Sequence, residues 1–462
     1  METQDFITLY APATNDELGT IPACSQAQID EMMAQATSVW PEWSQTTLET
    51  RSQLLKRWSA NLRRDAENIA HLLSQEIAKA YADSYKEVIR TADLIDYVAD
   101  DALRMNGEAY RGDQFPGGSR KKMAFSHFAP LGVVLAISPF NYPVNLAAAK
   151  IAPALMMGNS VIFKPATQGA LSGVALVAAL VEAGMPENLV QIATGRGSVI
   201  GDYIVQHSAV NMISFTGSVG IGRRISQLAG MIPQVHELGG KDAAIILDLD
   251  QPQRLVSELI SGAFGYSGQR CTAIKRIFVL EPIADQLAAL LTPAMAEITT
   301  GMPETNAMVT PLIDNGSADF VQGLIDDAIE KGAHVLFGNE RQANFLAPTL
   351  LDHVTPDMRV AWEEPFGPVL PIIRVQSVEE AIRLNNESEF GLQASIFGSN
   401  IEDIFAIAPR LQVGTVNING RSERGPDHFP FAGIKNSGMG TQGVRRSLES
   451  MSRQQMTVLN LK

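Results

Sequence analysis

Between Leu131 and Leu249 short β-branched runs alternate with longer helical ones, and no other feature limits the fold of this chain as tightly. Val133 to Ile137, Ser160 to Phe163, Leu189 to Ala193, Asn211 to Phe215 and Ala243 to Leu247 read as strands, with Ala170 to Ala183 an intervening helix closed by Gly184. Strands joined in this way pair in parallel through right-handed crossovers, and the resulting doubly wound sheet collects ligands at the carboxyl ends of its strands. Upstream, from Ala36 to Met105, apolar residues recur at helical spacing, as in Leu54, Leu55, Trp58 and Leu62. A second alternating stretch from about Leu255 holds Arg276 to Leu280, Pro368 to Val375 and Thr415 to Ile418 as strands, enough for a second α/β domain. Gly107 to Lys122, richer in glycine and charge, reads as an exposed excursion, and Thr457 to Leu461 as a closing or partner-exchanged strand.

A chain of 462 residues exceeds a single core. Its 36 basic against 50 acidic residues give a net charge of -14, which repels nucleic acid and anionic membranes in the absence of a basic cluster. The apolar window Leu131 to Ala149 carries Pro139, Asn141, Pro143 and Asn145, so it reads as a buried strand and turn rather than a membrane span. No basic residue precedes the first apolar stretch, as a secretory signal would require, and a cytoplasmic enzyme is expected. Two distant cysteines, Cys24 and Cys271, have neither disulfide nor zinc spacing, and no metal is expected.

Cys271 lies in Gly-Tyr-Ser-Gly-Gln-Arg-Cys-Thr, residues 265–272, where glycines permit close backbone approach and the neighbouring Arg270 would favour a thiolate. A free cysteine is more often a small core residue. Glu237, just before a glycine pair, is placed as a mobile base would be, or as a solvated loop carboxylate. Asn141 follows the strand Val133 to Ile137, so its amide would donate to an oxyanion or simply make a turn. Phe215, Thr216, Gly217 and Ser218 end a strand and open a helix, the setting in which backbone N–H groups bind a pyrophosphate. Lys164, at another strand end, would reach a ribose or phosphate, or be one more surface lysine.

Together these segments resemble the aldehyde dehydrogenase superfamily: Pro-Phe-Asn at 139–141, Lys-Pro at 164–165, Phe-Thr-Gly-Ser at 215–218, Glu-Leu-Gly-Gly at 237–240 and Gly-Gln-x-Cys at 268–271 occur in order, followed by Glu-Glu-Pro-Phe-Gly-Pro at 363–368. The resemblance implies that Cys271 attacks an aldehyde while the Asn141 side chain and the Cys271 N–H hold the oxyanion. Glu237 then activates water to hydrolyse the thioester. Acylating relatives typically lack that carboxylate, so a free acid is the implied product. Glu364 would hold the nicotinamide ribose with Phe366 packed nearby, and Leu238 is counted with the cofactor residues. Where many NAD-preferring relatives carry Glu, this chain has Thr167, so NADP is expected at Lys164 and Thr167, with NAD possible and Arg196 a weaker choice.

The implied architecture is an aldehyde dehydrogenase-like α/β fold: a doubly wound dinucleotide-binding domain (1–106 and 123–238), an α/β catalytic domain (239–438), and a small β oligomerisation element (107–122 and 439–462) that makes a homodimer or homotetramer. Within the superfamily, Leu135 to Asn145, Ala263 to Lys275, Trp362 to Arg374 and Gly391 to Ile396 are similar to the non-phosphorylating glyceraldehyde-3-phosphate dehydrogenase group. That likeness implies a phosphorylated aldehyde held by Arg90, Tyr142, Arg270 and Arg424, although Arg421 is near enough to compete with Arg424. The alternatives are an NADP-linked succinate-semialdehyde dehydrogenase and a catalytically silent protein on the same fold.

Overall fold

The computed structural model describes residues 5–462; the first four residues of the expected dinucleotide-binding domain lie outside the described residues. The alternating segment forms a six-stranded sheet in the order Gly438–Met439, Gln234–Glu237, Val210–Thr216, Val133–Ile137, Ser160–Lys164 and Val190–Ile192. All of its strands run parallel except the short Gly438–Met439, which pairs antiparallel with Gln234–Glu237. In chain order the sheet grows one way from Val133–Ile137 and then reverses to Val210–Thr216. A crevice therefore opens between the ends of those two strands, where a doubly wound sheet binds its ligand.

The unbroken apolar spelling of Val133–Ile137 has a direct cause. Val134 and Ala136 pack into one core cluster, and Val133, Leu135 and Ile137 into another on the opposite face. A strand buried on both faces has no polar face to alternate with. Helices Leu48–Arg64, Ala66–Ile77, Tyr81–Ala102 and Asn145–Met156 supply the first cluster, and the helix Gln26–Ser44 contributes to the second. That last helix begins ten residues before the apolar periodicity at Ala36 announces it. Ser25 caps it with Gln28 in a reciprocal pair, Ser25 N–H donating to Gln28 Oε1 at 2.9 Å.

The second alternating stretch forms a seven-stranded sheet in the order His334–Phe337, Thr349–Asp352, Val369–Val375, Arg276–Leu280, Ala243–Ile246, Gln393–Phe397 and Thr415–Ile418. It is parallel apart from the antiparallel edge strand His334–Phe337. The expected α/β architecture with parallel sheets is therefore present. Ala243–Ile246, read as continuing the first sheet's alternation, belongs to this second sheet.

A three-stranded antiparallel sheet joins Ser452–Asn460, Lys122–Pro130 and Ala109–Arg111. The excursion thus runs past residue 122 to Pro130, because its return strand is held along its whole length by Ser452–Asn460. Residues 439–451 differ too: Val444, Leu448 and Met451 are buried in the core cluster shared with helix Tyr81–Ala102, so only the final strand stands apart. Among the described residues no helix is long and apolar enough to cross a membrane.

Candidate active site

The crevice is a cavity of about 820 Å³ running from the helices Gly197–Gln206 and Val219–Leu228 to Asn141 and Cys271. Lys164, Phe215, Thr216, Gly217, Ser218, Leu238, Glu364 and Phe366 all line it; Thr167 does not, being half-buried in the turn after Lys164. Arg196 is exposed immediately before the helix Gly197–Gln206 and is not among the lining residues.

The residues present fit an anionic dinucleotide. Ser218 starts the helix Val219–Leu228 without a side-chain cap, so the first N–H groups of that helix are left for a ligand at its positive end. Gly217 is required by packing, since a Cβ there would stand 2.5 Å from the Phe215 ring. Burial brings the Lys164 ammonium down to about 8, and among the described residues its polar partner is the Pro165 carbonyl at 3.2 Å. Glu364 receives the Gly240 N–H at 3.1 Å, and its other oxygen occupies the space a Cβ on Gly239 would need.

At the other end, the segment before Cys271 is wound in an uncommon way. Tyr266, Ser267 and Gly268 take consecutive left-handed conformations, φ 51°, 54° and 70°. Two of these residues have side chains that disfavour that region. Buried bonds hold them there: Tyr266 O–H donates to the Ile77 carbonyl at 3.2 Å and Ser267 Oγ to the Thr310 carbonyl at 2.8 Å. The turn delivers Cys271 to the end of the crevice opposite Asn141. One Asn141 Nδ2 proton goes to the Gln269 carbonyl at 2.9 Å, which orients the amide and leaves its second proton available.

The thiol is not ionised by its neighbour, contrary to the expectation for Arg270. Burial pushes Cys271 up to about 12, the Glu237 carboxylate adds to the rise, and Lys275 opposes it. The Arg270 guanidinium turns back onto the helix Pro252–Phe264, where it donates to the carbonyls of Gly265, Ser261 and Gly262 at 3.0, 3.1 and 2.6 Å. A charge committed to helix-end carbonyls does little for the thiol.

Glu237 ends the strand Gln234–Glu237 and is 2% exposed. Its Oε2 accepts from Arg424 Nη1 at 2.6 Å and from Thr216 Oγ1 at 3.4 Å, while Oε1 has no partner among the described residues. Arg90 holds the Arg424 loop through the Arg424 carbonyl at 2.7 Å and a two-pronged pair with Asp427 at 2.6 and 2.8 Å. Tyr142 packs edge-on against Tyr266, with ring centroids 6.2 Å apart. Arg421 is turned toward Glu423 and Glu258 at 2.9 and 3.4 Å, so Arg424 is the arginine beside the carboxylate.

Three buried lysines at this end escape sequence reasoning. Lys79 pairs with Glu87 at 2.6 Å under the Tyr142 ring, and Glu87 caps the turn after Asn141 by accepting from Val144 and Asn145 N–H at 3.0 Å each. Lys150 donates to Thr216 Oγ1 at 2.6 Å, and burial brings it down to about 7. Lys275 reaches Glu364 at 3.0 Å. The available signal was a lone charge inside an apolar run, as in Ala149-Lys150-Ile151. Among the described residues no group of three or more His, Cys, Asp or Glu is placed to hold a metal ion.

Comparison with known proteins agrees with this geometry. The NADP-dependent glyceraldehyde-3-phosphate dehydrogenase of Streptococcus equinus is 51% identical over 459 residues, covering 99% of this chain and 96% of its own. The Arabidopsis thaliana protein of the same name is 47% identical over 457 residues, covering 98% and 92%. A crystal structure of the Bacillus halodurans C-125 enzyme of that name, complexed with NADP, superposes with a TM-score of 0.99 at 56% identity, covering 100% of this chain and 97% of that one. The model of the aldehyde dehydrogenase family matches residues 1–457, and with a crevice lined by a cysteine and an amide, and a buried glutamate bonded to its lining residue Thr216, this chain belongs to that family.

Proposed function

We propose that the protein oxidises D-glyceraldehyde 3-phosphate to 3-phosphoglycerate with NADP and water, consuming no inorganic phosphate. The observation that carries this reading is the full-length likeness to NADP-dependent glyceraldehyde-3-phosphate dehydrogenases, coupled to a half-buried arginine, Arg424, paired with Glu237 at 2.6 Å. A catalytically silent role is disfavoured because Cys271 and Asn141 line one cavity and Glu237 is bonded to its lining residue Thr216.

The Cys271 thiol gives its proton to water, and Sγ then attacks the aldehyde carbon. The free Asn141 amide proton and the Cys271 N–H receive the oxyanion, in a pocket where such donors count for more than they do in water. A bound nicotinamide supplies the hydride acceptor that turns the adduct on Cys271 into a thioester. Glu237 takes a proton from water, the water oxygen attacks the thioester carbonyl, and the acid leaves as the thiol recovers its proton. Glu364 would hold the ribose, with Phe366 beside it. Lys164 would receive the 2′-phosphate, with Thr167 in the turn that follows it, where a carboxylate would repel that group; NAD lacks it and is the weaker cofactor.

The substrate phosphate is read by Arg424, Arg90, Tyr142 and the two Nη1 protons of Arg270 that its carbonyl bonds leave over. Arg424 is shared between this anion and Glu237, so an arriving phosphate competes for the guanidinium and frees the base to approach water. Strand Ser452–Asn460, whose outer edge is unpaired among the described residues and which carries exposed Met456 and Val458, extends the sheet of a second subunit, giving a homodimer or homotetramer.

The test compares initial NADPH formation from D-glyceraldehyde 3-phosphate and from succinate semialdehyde, without inorganic phosphate, for wild type and Arg424→Ala. The phosphorylated aldehyde is expected to be preferred, with kcat/KM reduced about a hundredfold in the variant. Better use of succinate semialdehyde would leave the thioester chemistry standing and overturn the phosphate site.

A further inference from the structure

We propose that Lys275 is a positioning residue for this reaction, one ammonium group that sets both the carboxylate for the cofactor ribose and the backbone of the nucleophile. Lys275 is 1% exposed and lies four residues after Cys271, just ahead of the strand Arg276–Leu280. Its Nζ donates to the Cys271 carbonyl and pairs with Glu364 Oε1 at 3.0 Å. The same Oε1 receives the Gly240 N–H at 3.1 Å, and the Lys275 N–H donates to the Asp242 carbonyl at 2.9 Å. One residue therefore joins three separate pieces of the site: its ammonium ties the Cys271 turn to the Glu364 loop, and its N–H reaches the backbone that follows Glu237.

Glycines make this junction possible. A Cβ on Gly239 would lie 2.1 Å from Glu364 Oε2, and one on Gly240 would lie 2.8 Å from the Cys271 carbonyl oxygen. The other charges nearby do not take over the task. Arg276 donates to the Ala361 carbonyl at 3.1 Å, Lys241 Nζ has no partner among the described residues, and Asp242 Oδ1 accepts the Gln393 N–H at 3.0 Å. Holding the Cys271 carbonyl anchors the nucleophile from its C-terminal peptide. Holding Glu364 fixes the ribose carboxylate relative to that same peptide. Hydride transfer depends on just that alignment, and a displacement of about 1 Å is costly. The ammonium also offsets part of the rise that burial imposes on the thiol.

The inference rests on Cys271 as nucleophile and Glu364 as ribose ligand, so its test separates the two. Wild type, Lys275→Met, Glu364→Gln and the double variant are compared in two measurements without aldehyde: NADP affinity by quenching of protein fluorescence, and the rate at which iodoacetamide alkylates Cys271 in cofactor-free enzyme at one mildly alkaline pH. Lys275→Met is expected to weaken NADP about tenfold and to slow alkylation about tenfold, because less thiolate is present. On the Glu364→Gln background the loss of Lys275 has little further effect on NADP affinity, while the slower alkylation persists. A loss of affinity that adds in full to that of Glu364→Gln, or alkylation at the unaltered rate, overturns the proposal. If Lys275→Met alone leaves Glu364 unpaired and does not fold, Glu364→Gln against the double variant still reads both quantities. A wild type that binds no NADP, or is alkylated elsewhere than Cys271, would instead overturn the underlying reading of the site.

Discussion

The two ends of the crevice are built from different materials. The nucleotide end, around Phe215 to Ser218, is made of strand termini, a glycine turn and the uncapped start of one helix. These features are consecutive in the chain and made mostly of backbone. The acyl end is made of side chains from segments remote in the chain, with Glu87 held by the Val144 and Asn145 N–H groups, Asn141 by the Gln269 carbonyl and Glu237 by Arg424. Backbone recognition is insensitive to most single side chains, whereas a side-chain cluster is coupled throughout. Changes at the acyl end should therefore reach further into the reaction than changes at the nucleotide end.

The largest expected effect is at Glu237. Glu237→Gln should lower steady-state turnover about a thousandfold while a first-turnover burst of NADPH survives, because acylation needs Cys271 and Asn141 but only hydrolysis needs the carboxylate. Stopped-flow absorbance reads both phases. Loss of the burst together with turnover would mean that the Arg424 pair, and not water activation, is what Glu237 supplies.

A smaller effect is expected at the nucleotide end. Thr167→Glu should lower kcat/KM with NADP about tenfold and leave NAD nearly unchanged, since the new carboxylate repels only the 2′-phosphate. Equal losses with both cofactors would break the comparison, by revealing that this turn supports the whole cleft rather than one contact.

The smallest effect is a pH dependence. Lys164 falls to about 8 through burial, so in the free enzyme its cation is present below that pH and is lost as pH rises through it. Phosphate binding favours the charged form. The NADP dissociation constant, measured by fluorescence titration, should therefore climb above about 8 while that of NAD stays flat, and Lys164→Met should remove the slope. A slope common to both cofactors would assign the titration to another group.

The same division explains what could be read from the chain. Val133–Ile137 begins and ends where its apolar run does, because a strand buried on both faces is spelled without interruption. Arg276–Leu280 and Thr415–Ile418 also keep the bounds read from the sequence, although the latter is a half-buried edge strand with a polar Asn417 inside it. The helix Gln26–Ser44 starts at a Ser25 cap rather than at an apolar residue, and the return strand Lys122–Pro130 is defined by its pairing with Ser452–Asn460, so pattern alone misplaced both. Cys271, Glu237 and Asn141 stood out through the order of short strings. The Arg270 side chain did not follow its position: proximity in sequence to Cys271 is overruled by three carbonyls at the end of the helix Pro252–Phe264.

By itself the sequence pointed to the two parallel α/β sheets and the crevice at the switch between strands, and singled out one thiol, one amide and one carboxylate as candidates there, because periodicity and strand-end strings are local properties. Only the tertiary structure decided the state of those groups. Burial holds the Cys271 thiol protonated, Arg424 rather than Arg421 closes on Glu237, and Lys275 ties Glu364 to the nucleophile. The physical reason is that desolvation and Coulomb interactions depend on distances between segments remote in the chain, and no local pattern records those distances.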